Sequence, residues 1–299
     1  MINFLRTLFH KVSNAYLEQQ LTPKVEQLQR KVEHLQQLVL EQQYRIDPQA
    51  FGNPVVFKEL TREKELTLPD EAALIHKNDL MFRYLLHIHM DTRLAYHHYY
   101  QSGYIIVEEI LKFLPKDVKR GAYLDMASGH GRVTRFMKGL FDDITVSDIK
   151  AEAVAFQQQQ FGFHGYPSTF KPEEFTPGRT FDVITVISMF THLDEDLFRR
   201  WFAVLAALLN PGGVLLLTTH GQKIDPSVTP ERPVSYTESS EDQLFWYVSD
   251  AISDATKYGT SAVHPDFVLK LAAAHHLQAE FHPYAMNSIQ DAWVLRKRA

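Results

Sequence analysis

Gly121-Ala-Tyr-Leu-Asp125-Met-Ala127-Ser-Gly129-His-Gly131 decides how this chain folds. An apolar run, Ala122 to Met126, carries an acid and passes at once into a loop of very small residues, Ala127 to Gly131. The run reads as a buried strand, and a helix is expected from about Arg132, carrying Val133 and Phe136 inward. Strand, tight Gly loop and helix in that order is how an α/β sheet makes room for a nucleotide-like ligand. Small residues are needed because the backbone approaches the ligand closely and takes turns that a Cβ would block. A dinucleotide fingerprint wants a third small residue where Thr134 stands, and no G-x-x-x-x-G-K-[ST] phosphate loop occurs. The acid at Asp125 suits a ligand bearing an ammonium group; it would repel a pyrophosphate.

The downstream chain extends this pattern. Asp142-Asp-Ile-Thr-Val-Ser-Asp148-Ile149 reads as a second strand ending on an acid, able to accept hydrogen bonds from both hydroxyls of a ribose. Phe181 to Ile187 is a third strand, and Leu209-Asn-Pro-Gly-Gly-Val to His220 is a helix stop followed by a fourth. A helix near His264 to Ala274 precedes two more strands, Gln278 to Tyr284 and Asp291 to Arg296. Their connection is too short for a crossover helix, so the pair is expected to be antiparallel.

Together these stretches resemble the class I S-adenosylmethionine-dependent methyltransferases over residues 95 to 297. The family's acid followed by alternating small residues stands here as Asp125-x-Ala127-x-Gly129-x-Gly131, with alanine replacing the first glycine. Phe181-Asp182-Val-Ile and Leu208-Leu-Asn-Pro-Gly-Gly match the family's fourth strand and the turn before its fifth. The resemblance implies a Rossmann-like α/β fold, a seven-stranded sheet with an antiparallel last strand, and S-adenosylmethionine as cofactor. By position it implies close backbone approach at Ala127, Ser128, Gly129 and Gly131, and a role for Asp125 in organising the loop or meeting the amino-acid end of the cofactor. It further implies Asp148 on the ribose, Ile149 against the adenine and Ser188 facing the methionine moiety. The ending Ser288 to Lys297 looks like methyltransferases encoded among glycan-building enzymes, so the implied acceptor is a hydroxyl of a sugar, glycan or glycoconjugate precursor. Two alternatives stay open: O- or N-methylation of a small natural product, and a scaffold that kept the fold without catalysis.

Composition narrows the partners. The 299 residues carry 45% hydrophobic residues and a formal net charge of −5. With no basic excess to neutralise a phosphate backbone, nucleic acid is not an expected partner. Zero cysteines exclude disulfides, thiolate catalysis and Cys-zinc sites. No apolar run reaches the ~20 residues of a membrane span, and the first residues lack a continuous signal-peptide core, so a cytoplasmic protein is expected.

Residues 1 to 46 read as a separate helical segment. Ile2, Leu5, Leu8, Phe9, Val12 and Tyr16 recur at helical spacing, on a helix that docks on a partner or on the protein's own body, with membrane-surface or glycosyltransferase docking as further options. Thr22-Pro23 restarts a helix, with Thr22 as N-cap. Val25, Val32, Val39 and Ile46 then occupy a positions and Leu28 and Leu35 d positions, the pattern of a parallel two-stranded coiled coil and hence a homodimer. An intramolecular helix is the alternative. Residues 47 to 70 read as a linker, and 71 to 299 as one catalytic domain with a helical lead-in over 71 to 120. Residues 221 to 263 form a long insertion with Phe245, Trp246, Tyr247 and Tyr258 in its second part, expected as a substrate lid or a small surface subdomain.

A hydroxyl acceptor needs a base, and histidine is the usual one. His192 and His220 both stand at strand C-termini, where sites in such sheets lie. His220 opens directly into the insertion and is the first choice; Gln290-Asp291 at the last turn is a third candidate. His87-x-His89-x-Asp91 does not form a metal set, because on a helix His87 and Asp91 share a face and His89 does not. Asp194-Glu-Asp196 reads as an N-cap with an acidic first turn. No metal is invoked.

Overall fold

The computed structural model describes residues 23–25, 27–28, 30–32, 45–47, 50–238 and 259–298. Its centre is β4 (Ala122–Met126), flanked by parallel β5 (Asp143–Ser147) and β7 (Phe181–Val186). β6 (His164–Gly165) extends the sheet beyond β5, and β8 (Leu209–Thr219) extends it beyond β7. β12 (Gln290–Lys297) slots antiparallel between β8 and β11 (Leu277–Met286), giving the order β11-β12-β8-β7-β4-β5-β6. This is the expected seven-stranded Rossmann-like sheet with a reversed last strand.

Period-two alternation puts one set of side chains on each face. Tyr123, Val146, Val183, Val214 and Leu216 join one core with helices α1 (Pro54–Glu63), α3 (Thr92–Phe113) and α4 (Ala151–Phe161). Leu124, Ile184, Val186, Leu215 and Leu217 join the other with α5 (Glu195–Ala207) and α6 (Pro265–Ala274). Asp194 caps α5 as expected, accepting the Leu197 N–H at 2.8 Å.

Three expectations are corrected. No α-helix follows the loop after β4: one turn, closed by Arg135 N–H to Gly131 C=O, tightens into a 3₁₀ segment, Thr134–Phe136, and stops before Gly139 at φ +83°. The Arg135 side chain turns inward there, which fixes the segment by tertiary bonds rather than by a helical ladder. Residues 47–70 are not a plain linker. Asn53 accepts the Val56 N–H and Pro54 starts α1, which buries Val56, Phe57 and Leu60 in the first core. The lead-in over residues 71–120 is not helical from its start: a 3₁₀ turn and β3 (Leu74–His76) precede α2 (Leu80–His89), and Met90 in a left-handed conformation separates α2 from α3. β3 pairs with β2 (Ala50–Gly52), and β2 with β1 (Arg45–Asp47), in a small antiparallel sheet.

Of the heptad, Val25, Leu28 and Val32 lie at helical positions and are exposed, whereas Ile46 lies in β1 and is not a helical a position. Residues 1–22 and 33–44 lie outside the described residues. Of the insertion, the stem is described: β9 (Val234–Glu238) and β10 (Gly259–Val263) pair antiparallel. The aromatic cluster at 245–258 lies outside. Among the described residues no helix is long and apolar enough to cross a membrane.

Arg135 joins the lead-in to the sheet. Only 1% exposed, it donates to the carbonyls of Ala72 (2.9 Å), Leu74 (2.8 Å) and Gly131 (2.8 Å) and to the Tyr99 hydroxyl (3.0 Å). That hydroxyl in turn donates to Asp79 at 2.5 Å. Arg135→Met would leave these carbonyls without their donor and the Tyr99–Asp79 pair without the guanidinium beside it. We expect a loss of about 3–5 kcal/mol in urea unfolding; a loss under about 1 kcal/mol would show that the guanidinium is not a structural tie.

Candidate functional site

β4 leads on to β5 and β6 on one side, while β7 and β8 lie on the other, so the loops leaving β4 and β7 diverge. Such a switch point makes a crevice at the carboxyl ends of the strands. Two adjoining cavities open there, of ≈ 300 and ≈ 320 Å³, with Ala127, Asp148, Ile187 and Ser188 in both walls. The first is largely apolar, with Ile149, Phe170, Met189, Leu193 and Trp201, and includes His192. The second is more polar, with Asp79, Asp125, Ser128, Gly129, Arg132 and Lys150.

The turns that shape this crevice are strained on both sides. Ala127 (φ +60°) and Ser188 (φ +66°) are both left-handed without being glycine, at a cost of about 1–2 kcal/mol each. Neighbouring bonds hold them. Ser188 donates its N–H to Thr218 Oγ1 at 2.8 Å, and its hydroxyl meets the Gln290 amide at 3.0 Å. Ser128 donates its N–H to the Ser147 carbonyl at 3.0 Å. The two glycines differ. At Gly131 (φ +79°) a Cβ would sit 2.7 Å from Gln157 Oε1, so packing excludes it. At Gly129 (φ +55°) a Cβ would meet no protein atom within 4 Å, so the space beside it is open.

Asp148 accepts the Gly129 N–H at 2.8 Å on one oxygen and the Lys150 N–H at 2.9 Å on the other. It thus ties the loop after β4 to the loop after β5. A carboxylate has about four lone-pair sites, so acceptor capacity remains toward the cavities. Burial raises its pKa, opposed by these two N–H bonds. Asp125 is 4% exposed and accepts the hydroxyls of Thr134 and, at 3.4 Å, Thr185. Burial pushes its carboxyl up to about 6, with the two threonines acting in the opposite direction. Thr134, the residue that spoils a dinucleotide fingerprint, is therefore the one that secures this acid.

The two histidines separate. His192 lies in the wall of the first cavity, whereas His220 lines neither. His192 Nδ1 is 2.9 Å from the Gly259 carbonyl. A carbonyl only accepts, so Nδ1 carries the proton and the lone pair is on Nε2. Burial lowers the pKa of His192, keeping it neutral at neutral pH. Burial, with His192 nearby, also lowers that of His220, whose Nδ1 is buried without a hydrogen-bond partner among the described residues. Asp291, 4% exposed, accepts the Tyr284 N–H at 2.9 Å and serves the hairpin turn. Sequence reasoning missed Arg132, Lys150 and Trp201 as lining residues; none belongs to a pattern with fixed spacing.

A cluster of His76, His130 and Glu152 gathers ligand-type atoms within 4.8 Å of one another. It is poorly built for a metal. The two imidazoles stack at 4.7 Å with planes 7° apart, so their in-plane lone pairs run side by side instead of converging. The His76 Nδ1 lone pair already accepts the Asn78 N–H at 3.2 Å. His130, whose pKa burial lowers to about 4, stays neutral and packs as an aromatic ring against Phe156.

A family model described as a methyltransferase domain matches residues 96–280. No curated protein matches the sequence. Among solved structures, the chain is similar to an S-adenosylmethionine-dependent methyltransferase from Clostridium acetobutylicum, at 15% identity over 67% of this chain and 92% of that one, with a TM-score of 0.47. It is also similar to the glycopeptide N-methyltransferase MtfA (15%, 66% and 90%, TM-score 0.47) and to DesVI of Streptomyces venezuelae (14%, 68% and 92%, TM-score 0.45).

The raised pKa of Asp125 has a sign. Its folded value lies above the usual carboxylate range, so the native state binds the proton more tightly than the unfolded chain. The resulting penalty is absent below about pH 4 and complete above about pH 6, where it amounts to about 3 kcal/mol. Asp125→Asn removes it. The variant is expected to melt higher than the wild type at pH 8 and equally at pH 4; equal melting at both would show that burial does not raise the Asp125 pKa.

Proposed function

The chain belongs to the methyltransferase-domain family, and from that premise we propose that it transfers a methyl group from S-adenosylmethionine to a hydroxyl of a sugar, glycan or glycoconjugate precursor. The paired cavities are the observation that carries the cofactor. An apolar slot joined to a compartment of carboxylates and cations matches a nucleoside joined to an amino acid, and Asp148 stands in both walls.

The residues divide accordingly. Ile149 packs against the adenine, and Asp148 accepts from the ribose hydroxyls. Ala127, Ser128, Gly129 and Gly131 bring the backbone close, with Gly129 leaving open the space that a Cβ would enter. Asp125 steadies the loop through Thr134 and faces the ammonium end. Ser188 lies beside the methionine moiety. When bound, the cofactor supplies an electrophilic methyl on a sulfonium. His192 Nε2 takes the proton of the attacking hydroxyl, in the tautomer that the Gly259 carbonyl supports. His192 replaces His220 as the preferred base because it is in the cavity wall. The sugar-type acceptor is supported by the resemblance of the C-terminal stretch. Dimerisation through a parallel pair of helices is supported by the exposed Val25, Leu28 and Val32 on helical turns.

Calorimetric titration with S-adenosylmethionine tests the reading. Micromolar binding is expected, weakened at least tenfold in Asp148→Ala, followed by S-adenosylhomocysteine release when sugar acceptors are screened. Absence of binding by the wild type would overturn it and favour the scaffold alternative.

A further inference from the structure

The stem of the insertion is sewn to the site by backbone groups. Alternate residues of a strand turn their N–H and C=O to the same edge. On β10, the Gly259 carbonyl meets His192 Nδ1 at 2.9 Å, and the Val263 N–H donates to the His220 carbonyl at 2.9 Å. Between them, the backbone of Ser261 faces the His220 imidazole, and the Ser261 hydroxyl donates to the Phe190 carbonyl at 2.9 Å. The edge of β10 that does not face β9 therefore serves the turn carrying His192 and the end of β8.

Gly259 is also the residue that allows this fit. A Cβ there would lie 2.5 Å from the Thr237 carbonyl oxygen and 2.5 Å from the Tyr236 ring. The β9 backbone oxygen cannot yield without moving β10.

We infer that the insertion, through the Gly259 carbonyl, fixes His192 in the tautomer that leaves Nε2 as the acceptor of a proton. Gly259 is a positioning residue, and the stem of the insertion arms the base by docking against it. An imidazole that loses this carbonyl is no longer held by it in the Nδ1–H form, and the Nε2–H form cannot accept a proton from a hydroxyl. Undocking the stem thus lowers the fraction of competent base. The inference rests on His192 as the base of the proposed reaction.

The test reads the imidazole directly. In ¹⁵N-histidine spectra of the full chain at pH 8, His192 is expected as the Nδ1–H tautomer in the wild type and as a mixture in Gly259→Ala. A wild-type His192 in the Nε2–H form overturns the inference, as does a spectrum unchanged by a folded Gly259→Ala. Should that variant fail to fold, His192 itself supplies the comparison. Asn places an amide N–H near Nδ1, whereas Gln places one near Nε2. Hydrogen exchange of the amides at 259–263 should stay within about threefold of wild type in His192→Asn and rise at least tenfold in His192→Gln; equal exchange in both overturns the inference. A failure of the cofactor reading would show separately, as loss of S-adenosylmethionine binding in calorimetry with the tautomer unaffected.

Discussion

A single buried cation holds this architecture together. The guanidinium of Arg135 spans the lead-in, through Ala72 and Leu74, and the loop after β4, through Gly131. Its charge is balanced across the Tyr99 hydroxyl by Asp79, and its face lies over the rings of Tyr99 and Phe161. Desolvating a charge costs several kcal/mol unless nearly every donor is used, so the lead-in and the loop can be assembled only together. The same residue places Asp79, Leu80 and Met81 against the second cavity. The helices before the first core strand thereby belong to the site, although most of their residues lie far from it in sequence.

The crevice concentrates what folding alone would avoid. Ala127 and Ser188 are left-handed without glycine, and Asp125 and Asp148 are carboxylates with raised pKa. Each is over-determined by its surroundings: Thr134 and Thr185 around Asp125, backbone N–H groups around Asp148, Thr218 and Gln290 around Ser188. Strain and buried charge persist where neighbouring bonds force them and a ligand benefits. The second cavity is therefore braced by the protein's own hydrogen bonds.

The sheet was legible because its signals are local. Alternating apolar runs, the acid of β5 followed by Asp148 and the short β11–β12 connection each needed only a few residues to interpret. What escaped were features decided by tertiary contact. The segment after Gly131 has helical spacing, yet the inward turn of Arg135 reduces it to 3₁₀ turns. Asn53-Pro54 is the same cap-and-proline signal read at Thr22-Pro23, but the charges of 58–65 obscured the buried stripe Val56, Phe57 and Leu60. The choice between His192 and His220 could not be made from chain position, because both end in the same region of the sheet. It turns on which imidazole meets the cavity and which is turned toward Ser261.

The placement of β12 bears on how the chain assembles during synthesis. β12 lies between β8 and β11, both of which precede it in the chain. Until it is made, those strands present open edges, and edges of this length invite pairing with other chains. The Gln290 amide that steadies Ser188 arrives with the same strand, from 102 residues away. A nascent chain can therefore form the parallel half of the sheet early, with the loop after β4 in place, but its crevice stays unfinished. Ligand competence and protection from aggregation are acquired in one late step, when a single strand is inserted.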